Sequence, residues 1–193
     1  MDAIEKRRSY YKLNKKIDIN YEELVSMLRN CLYYSPNPYN VQASRILLLT
    51  GKSHEQFWDT VVKEYFRKNN DGNLSEWDEA RIKREKKAYG SILFFIDEKK
   101  MKDSMPKKVY EENYIRWTND ALAMLEINVW QSLIKENIGA HLEHFTRLKD
   151  EVKLVYKLPD SWSFNALLVF GGIEGEAPIK AKDPLDERLI KLD

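Results

Sequence analysis

The chain has 193 residues, 43% hydrophobic, 12% aromatic and 33% charged, and 32 Lys and Arg against 31 Asp and Glu leave a formal charge of +1. Five Trp, eleven Tyr and seven Phe exclude intrinsic disorder, and a chain this long buries about 70% of its unfolded surface as one domain. The balanced charge argues against a nucleic-acid coat, and the single Cys31 excludes a disulfide framework or a zinc site of several thiolates.

The N-terminal MDAIEKRRSYYKLNKK holds no apolar run of the kind a signal peptide needs. The longest apolar runs, residues 46–49 and 92–96, fall far short of the roughly 20 residues that span a bilayer. The expectation is a soluble, cytoplasmic protein with no membrane partner.

Residues 2–7 read as a short helix. Asn20 followed by Glu23 predicts a capping box that opens a second helix, with Leu24, Met27, Leu28, Cys31 and Leu32 on one face. Pro36 and Pro38 stop it. Residues 45–50 (RILLLT) read as a buried strand closed by Gly51, and Ser53 caps a helix carrying Phe57, Trp58, Val61, Val62, Tyr65 and Phe66. A loop at 69–73 leads to a charged, mostly solvated helix at 76–87 and a strand at 91–96. Residues 111–137 form the longest helix. Its Leu122, Leu125, Val129 and Leu133 stripe, widened by Ala121, Met124 and Trp130, predicts burial inside the domain or at a subunit interface. Gly139 is the expected helix stop. A strand at 140–145, a helix at 148–156 and a strand at 165–170 ending at Gly171-Gly172 complete the set, and the last twenty residues read as an extended arm. Four strands among long helices imply an α/β or α+β sandwich. The arm's Ile179, Leu185, Leu189 and Ile190 need cover that a partner subunit would provide.

No phosphate loop, dinucleotide fingerprint, nucleophile elbow or thiol pair occurs. His141 and His144 would point to opposite faces of a strand, which disfavours a shared metal. Cys31 reads as a core residue, and the pairs Glu22-Glu23 and Glu111-Glu112 as solvated helix surface. Nothing points to a hydrolase, and no metal site is expected. Tyr39, Trp117, Phe145 and Trp162 are candidates for shaping a pocket, although a core role explains each as well.

Several polar groups remain: Arg7-Arg8-Ser9 after the first helix, Pro36-Asn37-Pro38-Tyr39-Asn40-Val41-Gln42 running into Ser44-Arg45, the segment AHLEHF, Phe170-Gly171, and Lys180 and Lys182 before Pro184-Leu185. Taken in order, this set resembles the nitroreductase family of flavin enzymes over nearly the whole chain. It is most similar to the compact branch of fungal fatty-acid-repressed nitroreductase-like proteins and their bacterial relatives. The resemblance implies an α+β fold over residues 1–193, an α/β/α sandwich with a mixed, mainly antiparallel sheet. It implies a homodimer in which each C-terminal arm (about 173–193) is exchanged, with FMN bound at the interface.

By the same resemblance, Arg7 and Ser9 contact FMN, Arg7 towards the phosphate or the pyrimidine edge, and Lys180 and Lys182 lie at the phosphate. A guanidinium meets a dianionic phosphate with two parallel hydrogen bonds. Lys182 stands where the family usually has Arg, and Tyr11 where it often has Lys, so that Arg8 or Arg45 is left to supply the cation near the flavin N1 edge. Asn40 and Gln42 can answer the acceptors and donor of the pyrimidine edge. The loop of Pro36, Asn37, Pro38 and Asn40 would reach the partner's flavin, with Asn37 and Pro38 replacing the usual small Ser. The backbone at Glu143 and His144 would donate to flavin N5. The implied function is an NAD(P)H-dependent oxidoreductase that reduces nitroaromatics, quinones or related flat small-molecule oxidants by ping-pong hydride transfer through flavin N5. A hydroperoxide or stress-related oxidant, or a non-catalytic flavin sensor or reservoir, are the alternatives.

Overall fold

A computed structural model describes residues 2–145 and 148–192. Asn20 accepts from the Glu23 backbone at 3.0 Å while the Glu23 carboxylate accepts from the Asn20 backbone at 2.8 Å. This closes the predicted capping box at the start of α2 (Tyr21–Tyr34). α1 (Asp2–Lys6) precedes it, followed by a short β1 (Leu13–Asn14) that the sequence reading lacks. A tight turn at Pro38–Asn40 leads into β2 (Ser44–Thr50).

The predicted helix from Ser53 is three consecutive segments. α3 (Gly51–Gln56) is capped by Thr50, with Ser53 as the reciprocal partner; a wide π turn follows at Phe57–Val62, and then α4 (Lys63–Lys68). Next come α5 (Glu76–Glu85), β3 (Gly90–Asp97), a further unpredicted helix α6 (Glu98–Asp103), and α7 (Glu111–Lys135). β4 (Ile138–Glu143), α8 (Lys149–Tyr156) and β5 (Trp162–Ile173) complete the fold. No helix among the described residues is long and apolar enough to cross a membrane.

β5 organises the sheet. It pairs antiparallel with β3, with β4 and, at its C-terminal end, with β1, while β2 pairs antiparallel with β3 on the outside. The parallel element is an isolated bridge between Ser9 and Ala140. Strand alternation splits the core into two layers. Ile92, Phe94, Leu168 and Phe170 pack towards α2 and α7, and Leu93, Phe95, Leu167 and Val169 towards the π turn and α8. The result is the expected helix–sheet–helix sandwich.

Two glycine expectations need correction. Asn137, not Gly139, takes the left-handed conformation after α7 (φ 57°), and Gly139 lies inside β4. Gly171 and Gly172 do not end β5 but continue it, paired with β4 and β1, and a Cβ at either would run into the carbonyl oxygens of Asn14 and Lys16. Close backbone approach from β1 is what requires them to be glycine.

The long helix α7 is only half covered. Leu122, Leu125, Val129 and Leu133 are buried, but Met124, Ile127 and Ile115 are exposed, as are Leu32, Tyr33 and Tyr34 of α2. Ile179 of the arm is 93% exposed, and Leu185, Leu189, Ile190 and Leu192 are also open in the single chain.

Candidate functional site

A cleft of about 720 Å³ lies where the end of α2, the Pro38 turn, the start of β2 and the middle of α7 meet. Pro36, Asn37, Asn40, Gln42 and Arg45, all predicted cofactor residues, line it beside Arg29, Tyr33 and Ala121, and Pro38 begins the turn between them. The backbone here is strained, since Tyr39, Asn40 and Gln42 have φ of 51°, 54° and 51°, a region that residues other than glycine rarely enter. Side chains hold it in place. Asn37 Oδ1 accepts from the Gln42 backbone at 3.0 Å, and Gln42 Nε2 donates to Asn40 Oδ1 at 2.9 Å. Asn40 Nδ2 and Gln42 Oε1, one donor and one acceptor, then have no partner among the described residues.

Arg45 is fixed at the cleft's side. Nη1 donates to the carbonyls of Gln42 (2.8 Å) and Ser44 (3.0 Å), and Nη2 to Asp97 Oδ2 (2.8 Å). Partial burial raises the Asp97 carboxyl, but the Lys100 backbone N–H, the Ser161 side chain and Arg45 together hold it below the ordinary carboxylate range. Trp162 packs under the Arg45 guanidinium at 5.9 Å. Of the two arginines weighed for the flavin edge, Arg45 lines the cleft, while Arg8 donates to the Pro178 carbonyl of the arm at 2.6 Å.

The other predicted residues form a second group along β4. The chain after α1 runs beside this strand: Ser9 bridges Ala140, and the Tyr10 N–H donates to the Ala140 carbonyl at 3.0 Å. The Arg7 guanidinium lies over the Trp130 ring, 4.5 Å from its centroid, and its N–H groups have no hydrogen-bond partner among the described residues. The exposed Tyr11 ring stands 4.8 Å from the His141 ring. β4 ends at Glu143, with His144 exposed just beyond. Neither this group nor Lys180 and Lys182, which are exposed in the arm, lines the 720 Å³ cleft. One chain therefore carries the candidate residues in two separate sets, with Lys180 and Lys182 apart from both in the arm.

Behind the β4 end lies a buried charged cluster formed between β4 and the helix expected to be mostly solvated. Arg81 pairs with Glu143, Arg84 pairs with Glu85, and His141 Nε2 lies 3.2 Å from Glu85 and 3.5 Å from Glu143. Glu85 is 1% exposed. Burial raises its carboxyl, but His141 and Arg84 outweigh that and keep it below the usual range. The available signal was the spacing: Ile82 and Glu85 sit three apart on α5, so one face of this charged helix turns inward. Trp130, which carries Arg7, was read only as part of an apolar stripe.

Of the remaining candidates, Phe145 belongs to the core, 3% exposed, whereas Tyr39 is exposed. Cys31 is buried, its Sγ is 3.4 Å from Ser132 Oγ, and burial pushes its thiol up, as suits a core residue.

The nitroreductase family model matches residues 4–172. The chain belongs to the nitroreductase family. Among its relatives, HBN1 of Saccharomyces cerevisiae is 29% identical over 170 residues, covering 86% of this chain and 83% of that protein. The nitroreductase CinD of Lactococcus lactis, solved with nicotinic acid, superposes with a TM-score of 0.91 at 29% identity over 100% of this chain and 98% of that one. The same protein solved with 4-nitrophenol gives 0.89 at equal identity and coverage. A protein of Desulfovibrio desulfuricans solved with FMN shares the fold, with a TM-score of 0.69 at 18% identity over 100% of this chain and 95% of that chain. Family membership makes this nitroreductase-fold protein an oxidoreductase, and it accounts for the absence of a triad, because chemistry carried by a cofactor needs binding and orientation from the protein rather than a nucleophile.

Proposed function

We propose that the protein is an FMN-dependent oxidoreductase that uses NAD(P)H to reduce nitroaromatics, quinones or similar flat oxidants, and that it works as a homodimer. The observation that carries this reading is the cleft lined by Pro36, Asn37, Asn40, Gln42 and Arg45, five residues named beforehand as flavin contacts. Its volume lies within the 300–1,000 Å³ usual for small-molecule sites. The flat aromatic compounds bound by CinD, nicotinic acid and 4-nitrophenol, match the class of reductant and oxidant proposed.

The donor set suits FMN. Asn40 Nδ2 and Gln42 Oε1 offer a donor and an acceptor in one cleft, the pair a pyrimidine edge requires. Arg7, held over the Trp130 ring, has its N–H groups available for a phosphate, and its position is set before the anion arrives. Ser9 adds a hydroxyl donor, and Lys180 and Lys182 add point charges once the arm is placed. When bound, FMN supplies the two-electron redox chemistry that links NAD(P)H to the oxidant. The protein's own part is to hold the ring in the cleft, anchor the phosphate, present the Glu143–His144 backbone, and exclude water by packing.

A second copy solves two problems together. It covers the exposed faces of α2 and α7 and the arm, and it brings the cleft of one chain towards the β4 group of the other. The test is the absorbance spectrum of the purified protein before and after anaerobic NADH or NADPH. A flavin spectrum that bleaches supports the proposal. A colourless protein that added FMN does not restore, or a coloured one that neither nucleotide reduces, overturns it.

A further inference from the structure

His141 is fully buried, and hydrogen-bond chemistry dictates what it carries. Nδ1 lies 2.8 Å from the Tyr10 carbonyl. A carbonyl only accepts, so Nδ1 holds a proton. Nε2 faces Glu85 Oε2 at 3.2 Å and Glu143 Oε1 at 3.5 Å. The other oxygens of these carboxylates are taken by guanidinium groups: Glu85 Oε1 by Arg84, whose Nε donates at 2.9 Å, and Glu143 Oε2 by Arg81. Both carboxylates are therefore ion-paired to arginines. Nε2 is buried and makes no aligned hydrogen bond of its own, and a bare lone pair beside two carboxylate oxygens is repulsive, so a positive species belongs there. His141, Glu85 and Glu143 offer ligand-type atoms within 4.8 Å of one another, but Arg81 and Arg84 already neutralise both carboxylates. A divalent ion would leave two uncompensated charges in the interior, whereas a proton leaves one.

We infer that His141 is an imidazolium wedged between Glu85 and Glu143, and that the cluster is a built-in positive charge that biases bound FMN towards its reduced form and fixes the end of β4. The inference rests on the FMN reading, through Tyr11 and Glu143. The Tyr11 ring lies tilted against His141 at 4.8 Å, with Arg84 5.8 Å from its centroid, and Glu143 ends the strand whose backbone is assigned to the flavin. Among the described residues, the polar and charged groups at the ring are Tyr10 and Tyr11 from the N-terminal segment, Arg81, Arg84 and Glu85 from α5, and Glu143 from β4 itself. On the far side, His54 of α3 bonds the Glu85 carbonyl. Three cations meet two carboxylates, and the surplus charge lies behind the residues assigned to the cofactor. A nearby positive charge stabilises reduced flavin because reduction adds negative charge to the ring. His141 is thus a positioning residue, acting through Glu143 and through its field.

Two measurements test it. The first is imidazole nitrogen NMR of the wild-type protein at neutral pH. Two protonated ring nitrogens for His141 are expected, and the unequal pair of a neutral tautomer would overturn the inference, as would a stoichiometric metal ion found by elemental mass spectrometry. The second is the midpoint potential of bound FMN in wild type and in His141→Gln. The variant is expected to favour oxidised flavin about tenfold more than wild type, a fall of about 30 mV for a two-electron couple. Arg84→Gln, at a partly exposed side chain, removes a cation from the same cluster and should shift the potential in the same direction even if His141→Gln fails to fold. Unchanged potentials in a folded variant would overturn the redox bias. A colourless protein that still shows the imidazolium would refute the FMN reading and the bias with it, while a yellow protein with neutral His141 would refute this inference alone.

Discussion

His54 offers a direct measure of how tightly the interior behind β3 is specified. It sits on α3, 1% exposed, with Nδ1 3.0 Å from Ser91 Oγ and Nε2 3.0 Å from the Glu85 carbonyl. The carbonyl requires Nε2–H, so Nδ1 accepts from the Ser91 hydroxyl, and Ser91 Oγ in turn accepts from Trp58 Nε1 at 3.3 Å. Every donor and acceptor in this chain is used with the ring neutral. Burial accordingly pushes His54 down from 6.5 to about 4. Because the folded value is depressed, the unfolded chain takes up the proton first, and stability is lost as pH falls from 6.5 towards 4. The full difference is worth about 3 kcal/mol, and about 2 kcal/mol has gone by roughly pH 5. The assay is urea unfolding at about pH 8 and pH 5 for wild type and for His54→Gln, whose amide can donate to the Glu85 carbonyl and accept from Ser91. Wild type should lose about 2 kcal/mol more than the variant between these conditions. Carboxylates such as Glu126, raised by burial although Asn165 opposes it, titrate in both proteins and drop out of the comparison. Parallel losses in the two proteins would refute the assignment of a neutral, fully bonded His54.

Further predictions concern the cofactor, the arm and the sheet. Arg7→Ala should weaken FMN binding by about 1.5–3 kcal/mol, the worth of a charged hydrogen bond, read as lowered flavin content and a raised Kd; full flavin retention would contradict the phosphate role. Truncation after Gly175 should loosen the dimer and lower flavin content together, and a truncated protein with unchanged mass by light scattering would contradict arm exchange. Gly171→Ala should cost about 2 kcal/mol, since its Cβ would meet the Asn14 carbonyl on one side and the Tyr89 backbone nitrogen, 2.9 Å away, on the other; neither is a flexible side chain, and a wild-type urea midpoint would refute the close-approach argument.

What could be read from the sequence was whatever local chemistry decides. The α2 start was legible because Asn20 and Glu23 satisfy each other within one turn. The paired strands β2 and β3 were legible because each carries an unbroken apolar run, but only β3 is fully buried; β2, expected to be buried, is the half-buried edge strand of the sheet. The left-handed stop after α7 was misplaced because Asn137 and Gly139 both allow it, and only the register of Gly139 opposite Gly171 decides between them. β1 is two residues long and exists through its pairing with β5, which no local pattern reveals. The charged cluster was missed for the same reason. α5 carries a high density of charge, and the partner that draws Glu85 inward, His141, lies more than fifty residues away in sequence.

The same division between local and distant information explains the candidate site. The residues of the Pro36–Arg45 stretch lie within ten positions of one another, so the chain itself assembles them into one cleft, and Asn37, Asn40 and Gln42 hold each other there. Arg7, Ser9 and Tyr11 reach Ala140 and His141 only through the sheet, and in one chain they do not meet the cleft. The α2–α7 surface is uncovered, and Ile179 and Leu192 of the arm are over 90% exposed, features that the proposed homodimer accounts for. Burying the arm's apolar side chains on a neighbour would gain about 25 cal/mol for each Å² covered, and in the proposed dimer the same association joins the carboxamide cleft to Arg7. Flavin content and dimerisation should therefore rise and fall together, and a variant that separates them would show that one chain completes the site alone.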